Sequence, residues 1–474
     1  MVQLKQILGL GSLAFLSFGC AQLECKNEVV QSQSIVQDRI QRRSLEVGTW
    51  FMPQVMYKSM ARGSIDNFNG DELTVFYFSK PMNYKSQLVT GNNNSPYVHL
   101  FHNLKKTGPV VVDFPAAGDE GAFFGTFLDS WHKPIVDVGP DGADKGEGGK
   151  YFIYGPDFEG KVPKGYIPVP QETYMGYMSL RSLTKGTTDQ DFAKSEKYIQ
   201  KIQVYPYGKK QKTHHIDQYN IEVDMTIDFS FKFWEDVDYM LQNEIIKHDE
   251  KAFYGMLKTL GLEKGKKFEP NDHERSLLEE AAKELHIEMK HDLVEFAPKI
   301  WPGKSNWTIP VPMSMMTTDA TYVSSNWNDY VSRGATFYFY FAPPASLADS
   351  KSTTYIKGAK DSEGRVLNGQ YDYQITIPAE VPARRFWSML TYSNDTGAYV
   401  KGAPNVGIAS NESGLKTNAD GTVTLTWTSK ITDNKPNCLY VRPGEDFFTL
   451  FRLYGPEKAF FDGTFNLPNI KRIK

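Results

Sequence analysis

Cysteine is scarce in this sequence, with three residues in a chain of 474. This scarcity excludes a disulfide-dense scaffold and any zinc or iron–sulfur framework built from several cysteines. An excess of one charge is also missing, because 53 lysines and arginines face 56 aspartates and glutamates, for a formal net charge of −3. Such a balance provides no general attraction to a polyanion, and we predict no nucleic-acid partner.

The common catalytic motifs are absent as well. The sequence contains no GxSxG elbow, no HExxH pair, no P-loop and no GxGxxG after a strand. Their absence removes the strongest sequence signals for serine hydrolases, zinc proteases and nucleotide-dependent enzymes. From the sequence we predict no cofactor and no metal site.

Long hydrophobic runs are limited to the N-terminus. Lys5 precedes an apolar stretch over residues 7–19, which has the length of a signal-peptide core, whereas a bilayer span needs about 20 apolar residues. We therefore predict a signal peptide over residues 1–21, export to the periplasm or outer envelope, and no transmembrane span.

The end of this peptide allows two kinds of processing. Cleavage can occur before Gln22, or Cys20 can be acylated in a lipobox-like site, although Ser17 stands where a lipobox normally has leucine. Cys25 and Cys438 are present after either event. An oxidising periplasm allows a disulfide between them, and two unpaired thiols are the alternative.

The remainder of the chain shows a regular order of hydrophobic patterns. Apolar residues at three- and four-residue spacing predict a helix over 28–62, which Pro53 is expected to break or kink. Short alternating segments between turn residues predict β-structure over 63–185 and 301–474, and amphipathic segments predict a mostly helical unit over 186–300. The predicted fold class is α+β with several domains: two antiparallel β-sandwich or jelly-roll-like domains joined by a helical unit.

Three local patterns make sharper predictions. Asn271 and Glu274 have capping-box spacing at the start of a helix. Residues 219–231 alternate like a strand. The aromatic run FYFYF at 337–341 is predicted as an exposed edge strand, which could pair between subunits and produce a homo-oligomer.

Candidate functional side chains gather at the ends of predicted strands. Asp129, Trp131 and His132 lie together in FLDSWH, where an acid, an aromatic ring and an imidazole could bind a sugar or act as acid and base. The alternative is a structural set with Trp131 in the core. Arg181 is a third catalytic candidate, for stabilising an anion. Asn93, in a run of three asparagines, could bind a polyhydroxyl ligand or only form a turn.

Arginines also alternate with apolar residues near the C-terminus. In RRFWSMLTYS, alternation places Arg385 and Trp387 on one face and Arg384 on the other, and the bulky residues on both faces predict a central, covered strand. Trp387 is a candidate ligand-binding residue. In FFTLFRLYGP, Arg452 is expected to be buried with a partner carboxylate or several carbonyls, and an internal ion pair is favoured.

An ordered series of motifs resembles a known pair of families. The N-terminal half contains VTGNNNSPY, GPVVVDF, GTFLDSW and YGPDFEG, and the C-terminal half contains FWSMLTY, DGTV and FRLYGP. They resemble the domain-of-unknown-function families 1254 and 1214, respectively, which occur as partners in exported bacterial-type proteins. The N-terminal positions that carry the resemblance are Asn93, Gly108, Pro109, Asp129, Trp131, Tyr154, Gly155, Pro156, Gly160, Pro163, Gly165, Arg181 and Asp189. The resemblance implies two β-sandwich-like domains joined by a helical unit, and it implies no particular reaction.

Three functions remain open at this stage. The first is an exported envelope protein that binds a partner, a small molecule or a glycan in a cleft between its β domains. The second is a hydrolase or lyase acting on an exported or extracellular substrate, with Asp129 or His132 as base and Arg181 stabilising an anion. The third is an oligomeric structural component of the surface. The tryptophans, tyrosines and asparagines at strand ends, together with the missing catalytic motifs, favour binding.

Overall fold

The secondary structure is mixed, as the predicted α+β class requires. The computed structural model describes residues 8–340, 342–345, 353–430 and 435–473, with side chains from residue 34 onward. Its helices are α1 (Leu8–Phe68), α2 (Leu104–Thr107), α3 (Asp189–Ile199), α4 (Lys232–Asn243), α5 (Lys251–Lys258), α6 (Asp272–Glu295), α7 (Met313–Thr317), α8 (Tyr330–Phe339) and α9 (Lys458–Phe461). The strands of its N-terminal half are β1 (Val75–Tyr77), β2 (Ser86–Gln87), β3 (Tyr97–Asn103), β4 (Val110–Phe114), β5 (Ala122–Asp129), β6 (Pro134–Val138), β7 (Gly149–Tyr154), β8 (Tyr166–Pro170), β9 (Met175–Leu183), β10 (Gln203–Pro206), β11 (His215–Asp217) and β12 (Val223–Asp224). Those of its C-terminal half are β13 (Thr353–Gly358), β14 (Tyr373–Ile377), β15 (Ala383–Ser393), β16 (Gly407–Ala409), β17 (Val423–Thr428), β18 (Cys438–Tyr440), β19 (Phe447–Pro456) and β20 (Lys471–Arg472).

Two sheets form the N-terminal β region. One has the order β11-β1-β3-β9-β5-β6 and the other the order β10-β4-β7-β8. Alternate residues of each sheet point into a shared core: Val98 and Leu100 of β3 and Val110 and Val112 of β4 are fully buried in the same apolar cluster. Burial of the apolar face of each sheet against the other stabilises this region.

The C-terminal β region is also built from two sheets. Their orders are β13-β19-β15-β16 and β18-β17-β14-β20, and Met389, Phe451, Ile375 and Trp427 from the two sheets share one buried cluster. Strand β15 lies between β19 and β16, and its residues 387–393 are all buried. The prediction of a central, covered strand is confirmed.

Helix α1 lies at the centre of a third and larger core. Trp50 of α1, Trp234 of α4, Leu285 of α6 and Phe339 of α8 belong to one buried cluster. Side chains of both β regions, such as Tyr392 of β15, join the same cluster. Helices from three separate parts of the chain therefore pack together and contact both β regions.

Pro53 does not interrupt α1, contrary to the break expected from the sequence. A proline inside a helix leaves the carbonyl four residues earlier without its helical N–H donor, and that residue is Thr49. Helix α8 packs closely against this turn, because a Cβ atom at Gly334 would lie 2.4 Å from the Thr49 carbonyl oxygen. Tertiary packing around the turn offsets the local cost of the proline.

The prediction for the aromatic run at 337–341 was wrong. Residues 330–339 form helix α8, and Phe337, Tyr338 and Phe339 are buried, so this run is not the exposed edge strand that was predicted. A short apolar run that is covered on every side has no periodicity to distinguish helix from strand. The alternation over 219–231 was also misleading, because β12 is the only strand there in the described chain.

Three other predictions concern the start of helix α6, membrane spans and the cysteines. The capping box is confirmed, since the Asn271 side chain accepts a hydrogen bond from Glu274 N and the Glu274 side chain accepts one from Asn271 N. No described helix has the length and apolar character that crossing a bilayer requires. Cys438 is a buried free thiol. Cys20, Cys25 and the predicted cleavage site lie where side chains are outside the described residues.

Candidate functional site

A cavity of about 840 Å³ lies between the two β regions. We call it the central cleft and define it by the side chains that line it from both sides. The N-terminal region contributes Thr90, Tyr97, Phe124, Thr126, Asp137, Asp141, Ser179 and Arg181, and the C-terminal region contributes Thr353, Thr354, Tyr355, Arg384, Arg385 and Arg452. Six residues of the segment 309–316, together with Tyr340, Ala342 and Pro344, also line it, and Gly125, Val138 and Gly142 are further lining residues of the N-terminal region. The volume is within the range of pockets that hold small molecules.

Arg452 is the most deeply buried charge in this cleft. It lies on the central strand β19, where Phe451 points into the core of the C-terminal region and Arg452 points the opposite way. Its side chain is 2% exposed. Nη2 donates to the carbonyl oxygens of Thr90 and Gly91 at 2.9 and 3.2 Å and to the Tyr392 hydroxyl at 2.7 Å.

The remaining nitrogens of Arg452 are unsatisfied. Nε and Nη1 have no hydrogen-bond partner among the described residues. The ion pair favoured from the sequence is absent there too, because carbonyls and a phenol take the place of a carboxylate. An arginine stays protonated in proteins, so a buried positive charge faces the cleft with no carboxylate partner among the described residues.

Arg181 provides a second positive charge in the cleft. It lies on β9, and its guanidinium carbon is 5.0 Å from the centre of the Phe124 ring. Burial raises the pKa of Tyr97 to about 12, against the opposing effect of Arg181 and Arg452. The Tyr97 phenol is therefore neutral at pH 7 and does not balance either guanidinium.

Arg384 and Arg385 both line the cleft, although simple alternation predicts opposite faces for them. The pairing of β15 with β19 shifts register between Ala383 and Phe386. A β-bulge of this kind changes the direction of side chains, and such bulges are common next to binding sites. The lining thus contains four arginines and two aspartates.

Asp137, one of the two aspartates in the lining, has hydrogen-bond partners in the protein. Asp137 Oδ1 accepts hydrogen bonds from Thr126 Oγ1 and from Ala345 N, the latter at 2.8 Å. These contacts position the Asp137 carboxylate on the strand β6 side of the cleft.

One wall of the cleft is apolar. Ile309, Pro310, Val311, Met313, Met315 and Met316 line it from a single segment of the chain. Met313 and Met316 are 56% and 41% exposed. Unbranched methionine side chains adapt to ligands of varied shape. This wall was not predicted from the sequence, and the cluster formed by Met313, Met315 and Met316 is the signal that could have indicated it.

The predicted Asp129, Trp131 and His132 are together, but they do not line the cleft. Asp129 Oδ1 accepts hydrogen bonds from Trp131 N at 2.8 Å and from Lys133 N at 2.9 Å. We call residues 129–133 the Asp129 turn. Burial raises the pKa of Asp129, against the lowering effect of these backbone donors. The carboxylate therefore shapes the chain locally.

His132 is completely buried, with φ of 62°, in the left-handed region. Its Nε2 lies 2.8 Å from the Pro53 carbonyl oxygen and its Nδ1 lies 2.7 Å from the Tyr177 hydroxyl. Burial lowers the pKa of His132 to about 3, so the ring is neutral. Because a carbonyl only accepts, Nε2 carries the hydrogen and Nδ1 accepts from Tyr177. Both ring nitrogens are thus used within the fold.

Trp131 lies in the core next to this turn. It is 5% exposed, and its ring centre is 5.3 Å from that of Trp50. The guanidinium carbon of Arg333 lies 5.0 Å from the centre of the Trp131 ring. Arg333 in turn forms an ion pair with Glu250 at 2.9 Å.

The other candidates lie in two further places. Trp387 is 6% exposed and stacks in the C-terminal core, with its ring centre 5.4 Å from that of Phe451. Asn93 lines a separate polar cavity of about 470 Å³, together with Lys85 and Asn220. Among the predicted site residues, Arg181 is the one in the central cleft.

Two family models match this chain, one in each β region. Residues 73–206 match the model described as "Protein of unknown function (DUF1254)", and residues 352–458 match "Protein of unknown function (DUF1214)". The chain carries both families, DUF1254 followed by DUF1214. This confirms the resemblance found in the sequence. The central cleft therefore lies between the DUF1254 and DUF1214 regions and is lined by both.

Two solved structures are similar to this DUF1254–DUF1214 chain. The VPA0106 protein from Vibrio parahaemolyticus shares 17% identity and a TM-score of 0.52, with 93% of this chain and 100% of that chain covered. This likeness concerns the fold alone. An uncharacterised protein from Burkholderia cenocepacia shares 11% identity and a TM-score of 0.39, covering 94% and 97% of the two chains. No curated protein matches the chain.

Proposed function

We propose that this DUF1254–DUF1214 protein binds a small-molecule ligand in the central cleft. One observation carries the proposal: a single cavity of about 840 Å³ is lined by side chains from both family regions. A binding site between two regions gains specificity from both of them, and ligand sites are common at such boundaries.

We also propose, from the sequence, how the chain is divided into domains and where in the cell the protein is located. We infer two sandwich-like domains over 63–185 and 301–474, joined by a helical unit over 186–300 and preceded by the helix over 28–62. The buried cluster of the C-terminal sheets supports the second of these domains. The N-terminal cluster extends past residue 185 to Tyr198, Ile199, Ile202 and Val204, so part of the segment 186–300 packs with the first domain. We also propose export to the periplasm or outer envelope through residues 1–21, with acylation of Cys20 as the alternative to cleavage.

The geometry favours binding over the two other functions. Asp129 and His132 are buried, and their hydrogen bonds serve the fold, so a hydrolase or lyase would need different acid and base groups. Only Arg181 of the three catalytic candidates lines the cleft. The main argument for a surface oligomer was an exposed aromatic edge strand. Residues 337–339 instead lie in helix α8 and are buried.

The test compares the wild-type protein with a variant whose cleft is blocked. Thr353 lines the cleft from strand β13, is half-buried and shares the face of Tyr355, which pairs with Arg452, so the indole of Thr353→Trp would occupy the ligand space. Thr376→Trp is the matched control, because Thr376 is exposed on strand β14 of the same β region.

Native mass spectrometry of protein purified gently from its own host provides the readout. We expect a discrete non-covalent adduct on the wild-type protein and on Thr376→Trp, and none on Thr353→Trp. Melting curves would verify that both variants fold. An adduct retained by folded Thr353→Trp, or no adduct on the wild-type protein, would contradict the proposal.

A further inference from the structure

We infer that the ligand of the central cleft is an amphipathic organic anion, with one carboxylate, sulfate or phosphate head and an apolar body. This inference rests on the proposed function and specifies its ligand class. It follows from two features of the same cavity, a buried cationic site and an apolar wall.

Arg452 supplies the central part of the cationic site. Thr90, Gly91 and Tyr392 hold its Nη2 in place, so the guanidinium is pre-oriented. Nε and Nη1 have no partner among the described residues, although the side chain is 2% exposed. Unsatisfied buried donors are costly, and a buried cation without a counter-ion is more so. An acidic ligand head would relieve both costs through charge-assisted hydrogen bonds.

The surroundings of Arg452 strengthen the preference for an anion. Arg452 lies with its guanidinium carbon 4.8 Å from the centre of the Tyr355 ring, in a stack that fixes its plane. Arg181 lines the same cavity and stacks on Phe124. Neither guanidinium is balanced by a described carboxylate. A neutral or cationic head would leave this positive site uncompensated.

The apolar wall indicates what the head is attached to. The segment 309–316 presents isoleucine, valine and methionine side chains to the cavity, and Met313 and Met316 are exposed. Covering exposed apolar surface is favourable, at about 25 cal/mol for each Å². Inorganic phosphate would leave the wall uncovered. Aliphatic and methionine side chains also match an apolar chain better than the hydroxyl-rich edge of a neutral glycan.

The experiment uses matched probes and isothermal titration calorimetry of the full chain. Octanoate and octyl sulfate carry an acidic head on an apolar chain, octanol and octylamine change the head, and acetate lacks the chain. We expect octanoate and octyl sulfate to bind at least about tenfold more tightly than the other three.

Two cleft variants and one control assign the head site. Arg452→Met and Arg181→Met should each weaken octanoate binding about tenfold or more and leave octanol binding unchanged. Arg442→Met is the control, because Arg442 is half-exposed and pairs with Glu445 outside the lining. Melting curves would identify any variant that fails to fold, and Arg181→Lys, which keeps the charge, should then retain part of the affinity.

The outcomes separate this inference from the proposed function. Octanol or octylamine binding as tightly as octanoate would overturn the anionic head, and acetate binding as tightly would overturn the apolar body. The proposed function survives either result. If none of the probes binds, the ligand class is overturned, whereas the proposed function is decided separately by the native adduct and its loss in Thr353→Trp.

Discussion

The Asp129 turn and the central cleft both bury polar groups, but they differ in what those groups bond to. In the turn, backbone donors reach Asp129 and both ring nitrogens of His132 have partners within the chain. The neighbouring Arg333 is paired with Glu250. In the cleft, two nitrogens of Arg452 remain without described partners. Arg333 also has one nitrogen, Nε, without a described partner, but Glu250 balances its charge. Arg452 has no described carboxylate and two such nitrogens, and this difference is the one that points to a ligand.

The largest expected effect tests whether Trp131 belongs to the fold. Trp131→Ala removes a buried ring, and we expect a loss of about 3–5 kcal/mol in the free energy of unfolding, measured by denaturant titration. Trp327→Ala is the control, because Trp327 is 48% exposed, and its effect should stay within about 0.5 kcal/mol. A Trp131→Ala protein of nearly wild-type stability would break the comparison and return Trp131 to the list of ligand-binding candidates.

The ion pair beside the turn should have an effect of similar size. Glu250→Gln leaves the buried Arg333 charge without its carboxylate, which should cost about 3–5 kcal/mol in unfolding free energy. The double variant Glu250→Gln/Arg333→Met removes both charges and should recover most of this loss. If the double variant is as unstable as the single one, the pair is not the source of the effect.

The dependence of the unfolding free energy on pH below about 4.5 tests the Glu250–Arg333 ion pair independently. Burial alone raises the pKa of Glu250, but Arg333 and Lys247 lower it to about 2. Because the folded value is below the ordinary value of 4.5, the contribution is fully present above that value and is lost as the pH falls towards 2. The wild-type protein should therefore lose stability between these pH values more steeply than Glu250→Gln does. Parallel pH profiles would contradict the assignment.

A smaller effect is expected where α8 supports the turn of α1 that His132 contacts. Gly334→Ala places a Cβ atom 2.4 Å from the Thr49 carbonyl oxygen, so the two helices must separate, at a cost of about 1–3 kcal/mol. Gly255→Ala is the matched control in helix α5, where no atom lies within 4 Å of the added carbon. That control should be neutral or stabilising by up to about 1 kcal/mol. Equal effects of the two substitutions would argue against close packing at Gly334.

The smallest expected effect on stability belongs to the cleft. Arg452→Met removes a buried charge that has no described counter-ion, and it also frees two carbonyls that Arg452 contacts. These effects oppose each other, so the free energy of unfolding should stay within about 1.5 kcal/mol of the wild-type value. A loss of more than about 3 kcal/mol would place Arg452 with the structural groups of the Asp129 turn and remove the distinction between the two regions.

Local patterns in the sequence were sufficient for much of the fold. The family order, the central strand β15 and the capping box at Asn271 were predicted correctly. These features depend on alternation, turn residues and short side-chain-to-backbone contacts, which involve neighbours in the chain. The burial of Arg452 was also predicted from alternation on an apolar strand, whereas the favoured ion pair was not found among the described residues, where carbonyls and a phenol are its partners.

The candidate site could not be predicted from the sequence alone, because it depends on contacts between residues that are far apart in the chain. Asp129, Trp131 and His132 were predicted together, yet only packing against α1 determined that they are buried. The bulge in β15 brought Arg384 and Arg385 to the same cleft, and alternation alone cannot show a bulge.

The sequence by itself determined the mixed α+β class, the two families and a buried arginine in strand β19. The tertiary structure decided that residues 337–339 form a helix, that α1 continues through Pro53, and that Arg181 and Arg452 face one cavity. The physical reason is the range of the interactions. Hydrophobic periodicity and capping act over a few residues, whereas burial, charge pairing and the presence of a free donor depend on which distant segments pack together.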